Sequence, residues 1–139
     1  MTTFLQRIVT DGDLSLIDDI AQPDMVDEAN QLFGGPPGRA GLVAHVRGFR
    51  KHLDQRKLRV HRIVASEDHV MAWWSFSAVH TGLWLGKPPT DQPVAATVFS
   101  FFALHEGLIQ RYALFVSARF TDEIRVLDTA LPDGGLFSQ

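Results

Sequence analysis

The chain contains no cysteine and little net charge, and each absence excludes a class of protein. Without cysteine, the 139 residues can form neither a disulfide framework nor a thiolate site. A formal net charge of −3 provides no positive field for nucleic acid or for an anionic membrane surface. The opening residues, MTTFLQRIVTDGD, lack the basic start and long apolar run of a signal peptide. We therefore expect a cytoplasmic protein with no nucleic-acid partner and no membrane partner.

Patterns that mark metal and cofactor sites are also missing. Metal-ligand spacing is absent among five of the histidines, which are His45, His52, His61, His69 and His105. The sequence has no phosphate-binding loop, no nucleophile elbow and no dinucleotide fingerprint. We therefore expect no metal and no cofactor.

Apolar residues are abundant instead, at 45% of the chain, which is enough for one domain with one sizeable core. The stretch 69–90, HVMAWWSFSAVHTGLWLGKPPT, begins as a strand that is apolar on both faces and ends near His80. A strand of this kind is covered on both faces or lines a cavity. A histidine at its end would stand at the mouth of a pocket.

Hydrophobic spacing predicts helices in the first half of the chain and strands in the second, an α+β layout. The expected helices cover 2–10, 14–20 after a capping Asp13, and 39–54. The expected strands cover 58–65, 69–80, 96–104 and 108–117, after a short extended piece at 25–28. The remaining expectations are a lid-like loop over 81–93, a tight hairpin at 105–107, a helical turn over 120–127 and a loose tail over 129–139.

Several short motifs follow one another in a recognisable order. They are Gly34–Gly38 before a helix, Val79-His80-Thr81-Gly82, Leu85-Gly86-Lys87-Pro88-Pro89-Thr90, Phe101-Phe102 and Gly107-Leu108-Ile109. Together they resemble the SnoaL-like polyketide cyclases of the nuclear-transport-factor-two-like superfamily. The resemblance covers about residues 5–120 of one domain spanning 1–139. It implies a cone-shaped α+β barrel, in which a curved antiparallel sheet wraps round a deep apolar pocket closed by the N-terminal helices. It also implies a homodimer.

The chain departs from the family pattern at two catalytic positions. Family cyclases usually carry an acid on the last strand, where this chain has Ser117, and often an early histidine, where it has Glu28. The resemblance therefore implies His80 and Glu28 as the acid/base pair. The alternatives are a structural histidine at a strand end and a surface acid, with Asp27 as a turn or ion-pair residue.

The same comparison and the two-residue period of strands select the pocket walls. Trp74 and Phe76 share the face of His80, and Trp84 is expected over the entrance. Arg111 and Phe115 share the face of Ser117 and would bind substrate with it. Tyr112 would then lie on the opposite face, packed behind the sheet or at a dimer contact. The alternatives are ordinary core packing for each aromatic residue and an arginine whose head reaches water.

These features favour a cofactor-independent enzyme of natural-product biosynthesis. It would cyclise or isomerise a hydrophobic polyketide- or terpenoid-like intermediate by folding it in the pocket and moving a proton. Loss of the late acid disfavours a plain aldol cyclase. The alternatives are an epoxide-opening hydrolase or cyclase, a non-catalytic module that binds a hydrophobic small molecule, and a dimerisation domain with a vestigial pocket. A homodimer is expected because Trp73 and Tyr112 would lie on strand faces that one layer of helices cannot bury, so a second copy would shield them from water.

Overall fold

The computed structural model describes residues 4–131 and the backbone of residues 137–138. The first half is mainly helical: a segment Phe4–Thr10, a 3₁₀ turn Leu14–Leu16, α1 (Ile17–Ile20), β1 (Ala21–Asp27), α2 (Glu28–Leu32) and α3 (Arg39–His52). The second half is all strand: β2 (Leu53–Ala65), β3 (His69–His80), β4 (Pro93–His105), β5 (Leu108–Arg119), β6 (Ile124–Asp128) and β7 (Phe137–Ser138). None of the described helices is long and apolar enough to cross a membrane.

The strands form one curved sheet in the order β2-β3-β4-β5-β6-β7, with antiparallel neighbours throughout. The strand β1 adds to β5 in parallel, where Asp27 is in register with Tyr112. Among the described strands the two edges of the sheet do not meet, so this sheet curves without closing into a barrel. The predicted α+β class with a curved sheet is confirmed.

Alternation along β3 gives the sheet a buried inner face and an exposed outer face. Trp74 and Phe76 are only 4% and 3% exposed, whereas Met71 and Trp73 on the opposite face are 47% and 43% exposed. The inner face packs against α3 and the N-terminal helical segment. The apolar stripe of α3 supplies Leu42 and Val46 to this core, and the helical segment supplies Phe4, Leu5 and Ile8.

Several predicted boundaries need correction. The segment 120–127 is not a helical turn, because Ile124–Asp128 pairs with β5 as a strand. The helix predicted over 39–54 ends at His52, and β2 follows at once, five residues before the predicted strand. The segment Phe4–Thr10 has π-helical rather than α-helical bonding. Of the tail predicted to be loose, 137–138 pairs with β6, and 132–136 and 139 lie outside the described residues.

The hairpin between β4 and β5 follows its sequence signal closely. His105 pairs with Leu108, and the two residues between them, Glu106 and Gly107, have φ of 51° and 79°. Two central residues with positive φ define the turn whose twist matches a right-handed hairpin. Gly107 adopts this conformation at no steric cost.

Candidate active site

A cavity of about 450 Å³ lies between α3 and the inner face of the sheet. The sheet contributes Trp74, Phe76, Tyr112, Leu114 and other apolar side chains to its wall. The helix contributes His45, Phe49 and His52, and the loop after β3 contributes Leu83 and Trp84. Phe33 and Leu83 also belong to the lining and are 58% and 59% exposed, so they mark its mouth. The interior suits an apolar ligand held by a few polar groups.

A buried aspartate holds one of the cavity histidines. The Asp27 side chain is fully buried at the end of β1, and its Oδ2 lies 2.7 Å from His45 Nδ1. Its other oxygen accepts a hydrogen bond of 3.0 Å from the backbone N–H of Asn30, which caps α2. Because Nδ1 of His45 is engaged, Nε2 on the far side of the ring is turned away from Asp27. Within the part of the chain that the structure describes, Nε2 has no hydrogen-bond partner.

The Asp27 carboxylate favours the charged form of His45. Burial acts to lower the pKa of His45, but attraction to Asp27 and the hydrogen bond to it together raise the pKa above 6.5. Asp27 therefore shifts His45 toward its imidazolium form. An imidazolium with a free Nε2–H is a proton donor to a ligand oxygen.

Tyr112 lies beside this pair and is held by a polar network within the core. Its ring stacks on His45 with centroids 5.7 Å apart and an interplanar angle of 11°. Its hydroxyl lies 3.2 Å from Ser100 Oγ, which accepts a bond of 3.0 Å from Trp74 Nε1. Burial raises the pKa of Tyr112 well above 10, so the phenol stays protonated. Tyr112 can therefore offer a neutral hydrogen bond to a ligand.

The other cavity histidine, His52, is the last residue of α3. Its Nδ1 is buried and has no hydrogen-bond partner among the described residues. Its carbonyl oxygen accepts bonds of 3.0 and 2.9 Å from the N–H groups of Thr81 and Gly82. These bonds join the C-terminus of α3 to the loop that follows β3.

His80 lies in the core and is absent from the cavity lining. Its ring is fully buried against Phe120, with centroids 5.0 Å apart, and Nδ1 lies 3.1 Å from Thr90 Oγ1. Its carbonyl accepts bonds from the N–H groups of Thr90 and Asp91, and its N–H donates to Gln92. Burial lowers the pKa of His80 below its usual value, which favours the neutral ring. These contacts fix the two ends of the loop together.

Glu28 is bound to an arginine far from His80. Its Oε1 lies 2.5 Å from Arg111 Nη1, and Arg111 is in register with Ala103, which is in register with His69. His69 and His80 are the first and last residues of β3, about 36 Å apart along the strand at ~3.3 Å per residue. The structure therefore does not bring the predicted acid/base pair together.

The predicted face of β5 is wrong. Tyr112, Leu114 and Val116 are buried on the inner face and line the cavity. Arg111 and Phe115 are exposed on the outer face, which Ser117 shares. The physical reason is burial: the inward set is apolar apart from one phenol hydroxyl, whereas the outward set includes a guanidinium and a serine. The sequence assignment followed the family acid position instead of this alternation.

The Gly-Lys-Pro-Pro-Thr motif fastens the loop over the cavity. Lys87 Nζ lies 2.8 Å from Glu123 Oε1 and 3.2 Å from Asp122, just before β6. Arg125 bonds the same Glu123 oxygen at 2.7 Å and the carbonyl of Leu85 at 2.9 Å. Hydrogen bonds from Lys87 and Arg125 hold the pKa of Glu123 at about 2. Trp84 thus stays on the cavity wall, with its ring centroid 5.6 Å from that of Phe76.

Sequence reasoning missed Asp27, His45 and Tyr112 as site residues. A signal for His45 was present, because it lies three residues after Leu42 and four before Phe49, both on the apolar side of α3. Asp27 offers only the weak signal of a helix cap. Within residues 4–131, no three histidine, aspartate or glutamate side chains gather in a way that could hold a metal ion.

Comparisons with known proteins agree with this fold. The family model for SnoaL-like polyketide cyclase matches residues 1–116. TsrD from Streptomyces laurentii is 19% identical with a TM-score of 0.68, over 81% of each chain. A SnoaL-like polyketide cyclase from Agrobacterium tumefaciens is 11% identical with a TM-score of 0.68, over 79% of this chain and 83% of that one.

AclR from Streptomyces galilaeus, named as a candidate hydroxylase, is 23% identical with a TM-score of 0.59, over 79% of this chain and 71% of that one. At these identities, the likeness to the solved structures shows a shared fold alone. No curated protein matches the chain.

Proposed function

Since the chain belongs to the SnoaL-like polyketide cyclase family, we propose that it is a cofactor-independent cyclase or isomerase. Its substrate would be a hydrophobic polyketide- or terpenoid-like intermediate that binds in the cavity. The observation that carries this proposal is the pairing of the buried Asp27 carboxylate with His45, a histidine that lines an apolar cavity. Perturbed titratable groups in a cleft are typical of catalytic sites.

His45 is the proton donor of the proposed reaction. A ligand carbonyl oxygen within hydrogen-bond reach of Nε2 would gain a proton as negative charge develops on it. The carboxylate of Asp27 stabilises the imidazolium and fixes the ring through Nδ1. When the proton has moved, the neutral ring can take a proton back from the substrate or from water at the mouth.

Tyr112 would donate a second hydrogen bond to the same oxygen. Tyr112 lines the cavity with its ring stacked on His45, and Ser100 can act as hydrogen-bond donor to its hydroxyl because Ser100 accepts from Trp74. In that arrangement the phenol hydrogen is free for the ligand. Two donors that converge on one oxygen favour an enolate or alkoxide over a neutral carbonyl.

Aromatic walls would fold the substrate for ring closure. Trp74, Phe76 and Trp84 form part of the wall, and the Phe76 ring meets Phe49 edge to face at 4.9 Å. Holding two reacting carbons within about 3.5 Å replaces an entropically costly search. This is how a cavity with few polar groups can direct a cyclisation.

We also propose that two copies of the chain pair through the outer face of the sheet. Trp73 stacks on Phe99 there, with centroids 6.1 Å apart, and both rings are more than 40% exposed. Met71 and Phe115 extend this apolar patch. The predicted dimer contribution of Tyr112 is wrong, because that residue lies on the inner face.

The Asp27–His45 pair supplies an acid/base group that Ser117 cannot, so an aldol ring closure is a suitable test of the proposed enzyme. The substrate is nonane-2,8-dione, a flexible apolar diketone. The expected product is a cyclic enone, which is followed by its ultraviolet absorbance. His45→Gln is expected to lower the rate by about 10²–10⁴-fold, because it removes the group that transfers the proton. The glutamine side chain still fills most of the space that the imidazole occupied. Glu28→Gln is the matched control and is expected to leave the rate unchanged.

Equal rates for the wild type and His45→Gln would refute the acid/base role. Tight binding of the diketone with no closure above the buffer rate would instead identify a binding module. Circular dichroism of each variant establishes that the fold is retained.

A further inference from the structure

We propose that His52 is a specificity residue that binds a second oxygen of the ligand, at the opposite end of the cavity from His45. The ligand is then an elongated molecule with an apolar middle and a carbonyl-type oxygen at each end. This inference rests on the proposed function for its choice of ligand class.

The helix α3 places the two histidines along one wall. They are seven residues apart, which rotates the second by only about 20° from the first and moves it about 10.5 Å along the axis. Both line the cavity, and Gly48 and Phe49 lie on the wall between them. Side chains on one helix face point in nearly the same direction, so two ligand oxygens bound to them would be about 10 Å apart.

The two histidines differ in their polar surroundings. His45 has a carboxylate on Nδ1, whereas no carboxylate among residues 4–131 forms an ion pair with His52. Nδ1 of His52 is buried without a partner, so a proton on it would be an unpaired N–H in the core. A tautomer that avoids this carries its proton on Nε2. His52 therefore offers an N–H donor to the cavity.

The motif that follows β3 determines the position of His52. The N–H groups of Thr81 and Gly82 both donate to the His52 carbonyl, which ends the helix at this residue. A Cβ at position 82 would lie 2.2 Å from His52 Nδ1, so only glycine leaves room for the ring. Thr81 and Gly82 thus hold His52 in position for ligand binding, while the preceding His80 is packed in the core.

Paired esters test the inference without any need for turnover. Dimethyl nonanedioate has a carbonyl at each end of a nine-carbon chain, and methyl decanoate is an apolar ester with one carbonyl. Isothermal titration calorimetry gives the ratio of their dissociation constants. The wild type is expected to prefer the diester by about three- to tenfold, the value of one additional hydrogen bond. His52→Phe is expected to reduce the ratio to about one.

A second variant covers the case in which His52→Phe fails to fold. Gly82→Ala displaces the His52 ring and is expected to lower the same ratio. Lys51→Ala, on the exposed side of the same helix and next to His52 in sequence, is the matched control and should keep the wild-type ratio. A wild-type ratio in folded His52→Phe or folded Gly82→Ala overturns the inference, as does a ratio of one in the wild type.

Failure of this inference can be told apart from failure of the proposed enzyme. If the diketone never closes but the diester preference depends on His52, the binding role stands and the enzyme proposal falls. If the diketone closes in a His45-dependent way but His52→Phe leaves the ratio of ester dissociation constants unchanged, only the proposed binding role of His52 is refuted.

Discussion

Asp27 performs two structural tasks, because one carboxylate oxygen caps α2 and the other holds His45. The residue is 3% exposed, and a buried carboxylate is costly unless each oxygen is satisfied. Sharing its two oxygens between a helix terminus and an imidazole meets this requirement. Helix capping and the charge of the site are therefore coupled at one residue.

Asp27→Asn is expected to lower the pKa of His45, because it removes the negative charge that opposes burial. Titration of the His45 ring protons by nuclear magnetic resonance measures the pKa directly. The wild-type value should lie above 6.5 and the variant value below it. An unchanged pKa in a folded variant would contradict the electrostatic role of Asp27.

The same pair makes stability depend on pH in a defined direction. His45 has a higher pKa in the folded state than the unfolded value of 6.5, so its contribution is complete below 6.5. That contribution is lost as the pH rises through the folded-state pKa. Urea unfolding is expected to show a stability decline in this window for the wild type. Asp27→Asn should flatten this decline.

Phe76→Ala tests whether the aromatic wall serves both packing and binding. The ring is 3% exposed and contacts Phe49 and Trp84, so its loss is expected to cost about 3–5 kcal/mol of unfolding free energy. Affinity for the diester should fall as well, because the ring lines the cavity. A stability loss with unchanged diester affinity would mean that Phe76 is core only.

The shared face of Trp74, Phe76 and His80 could be predicted from the two-residue period of strands, and the burial of β3 follows that period without interruption from Ala72 to His80. His45 could not be identified as a site residue from the sequence alone, since polar residues also occur on the flank of an apolar stripe. Asp27 becomes a site residue only when β1 pairs with β5 and meets α3, and these contacts join distant parts of the chain. Single-sequence patterns carry local periodicity and no such long-range pairing.

At the scale of elements, the loop between β3 and β4 is fastened by charges from the far end of the chain. Lys87 joins it to Asp122 and Glu123, and Arg125 joins it to the same glutamate. The sequence predicted a lid-like loop here. Because a helical turn was expected over 120–127, the residues in that segment that bind the loop were not predicted. The residues Ile124–Asp128 form β6, and pairing with β5 decided between strand and turn.

Lys87→Met keeps the length of the side chain and removes its charge. The expected result is faster amide hydrogen exchange over residues 83–87, because the loop loses two carboxylate partners. Lys51→Met, on the exposed side of α3, is the matched control and should leave exchange unchanged. Equal protection of the loop in both variants would show that Arg125 and the backbone bonds of His80 suffice.

At the scale of the molecule, the two faces of the sheet have different tasks. The inner face encloses the cavity, and the outer face carries the patch of Met71, Trp73, Phe99 and Phe115. The α+β class and the curved sheet followed from the order of periodic segments and from the family resemblance. The inward face of β5 was not predicted correctly, because the position of the family acid was given more weight than the alternation of apolar and polar residues along the strand.

Trp73→Glu is expected to shift the proposed homodimer to monomer, since it places a charge in an apolar interface. Multi-angle light scattering at micromolar concentration measures the mass. Leu83→Glu, at the exposed mouth of the cavity, is the control and should keep the wild-type mass. A monomeric wild type would count against the dimer.

The open edge of the sheet has a consequence for handling and redesign of the protein. The strand β2 has 13 residues and one strand neighbour in the described sheet, so much of its outer backbone could accept a strand from another molecule. Lys57, Arg59 and Arg62 lie along this edge, and like charges oppose such growth. Neutralising them would bring aggregation during expression before it changed the folded structure.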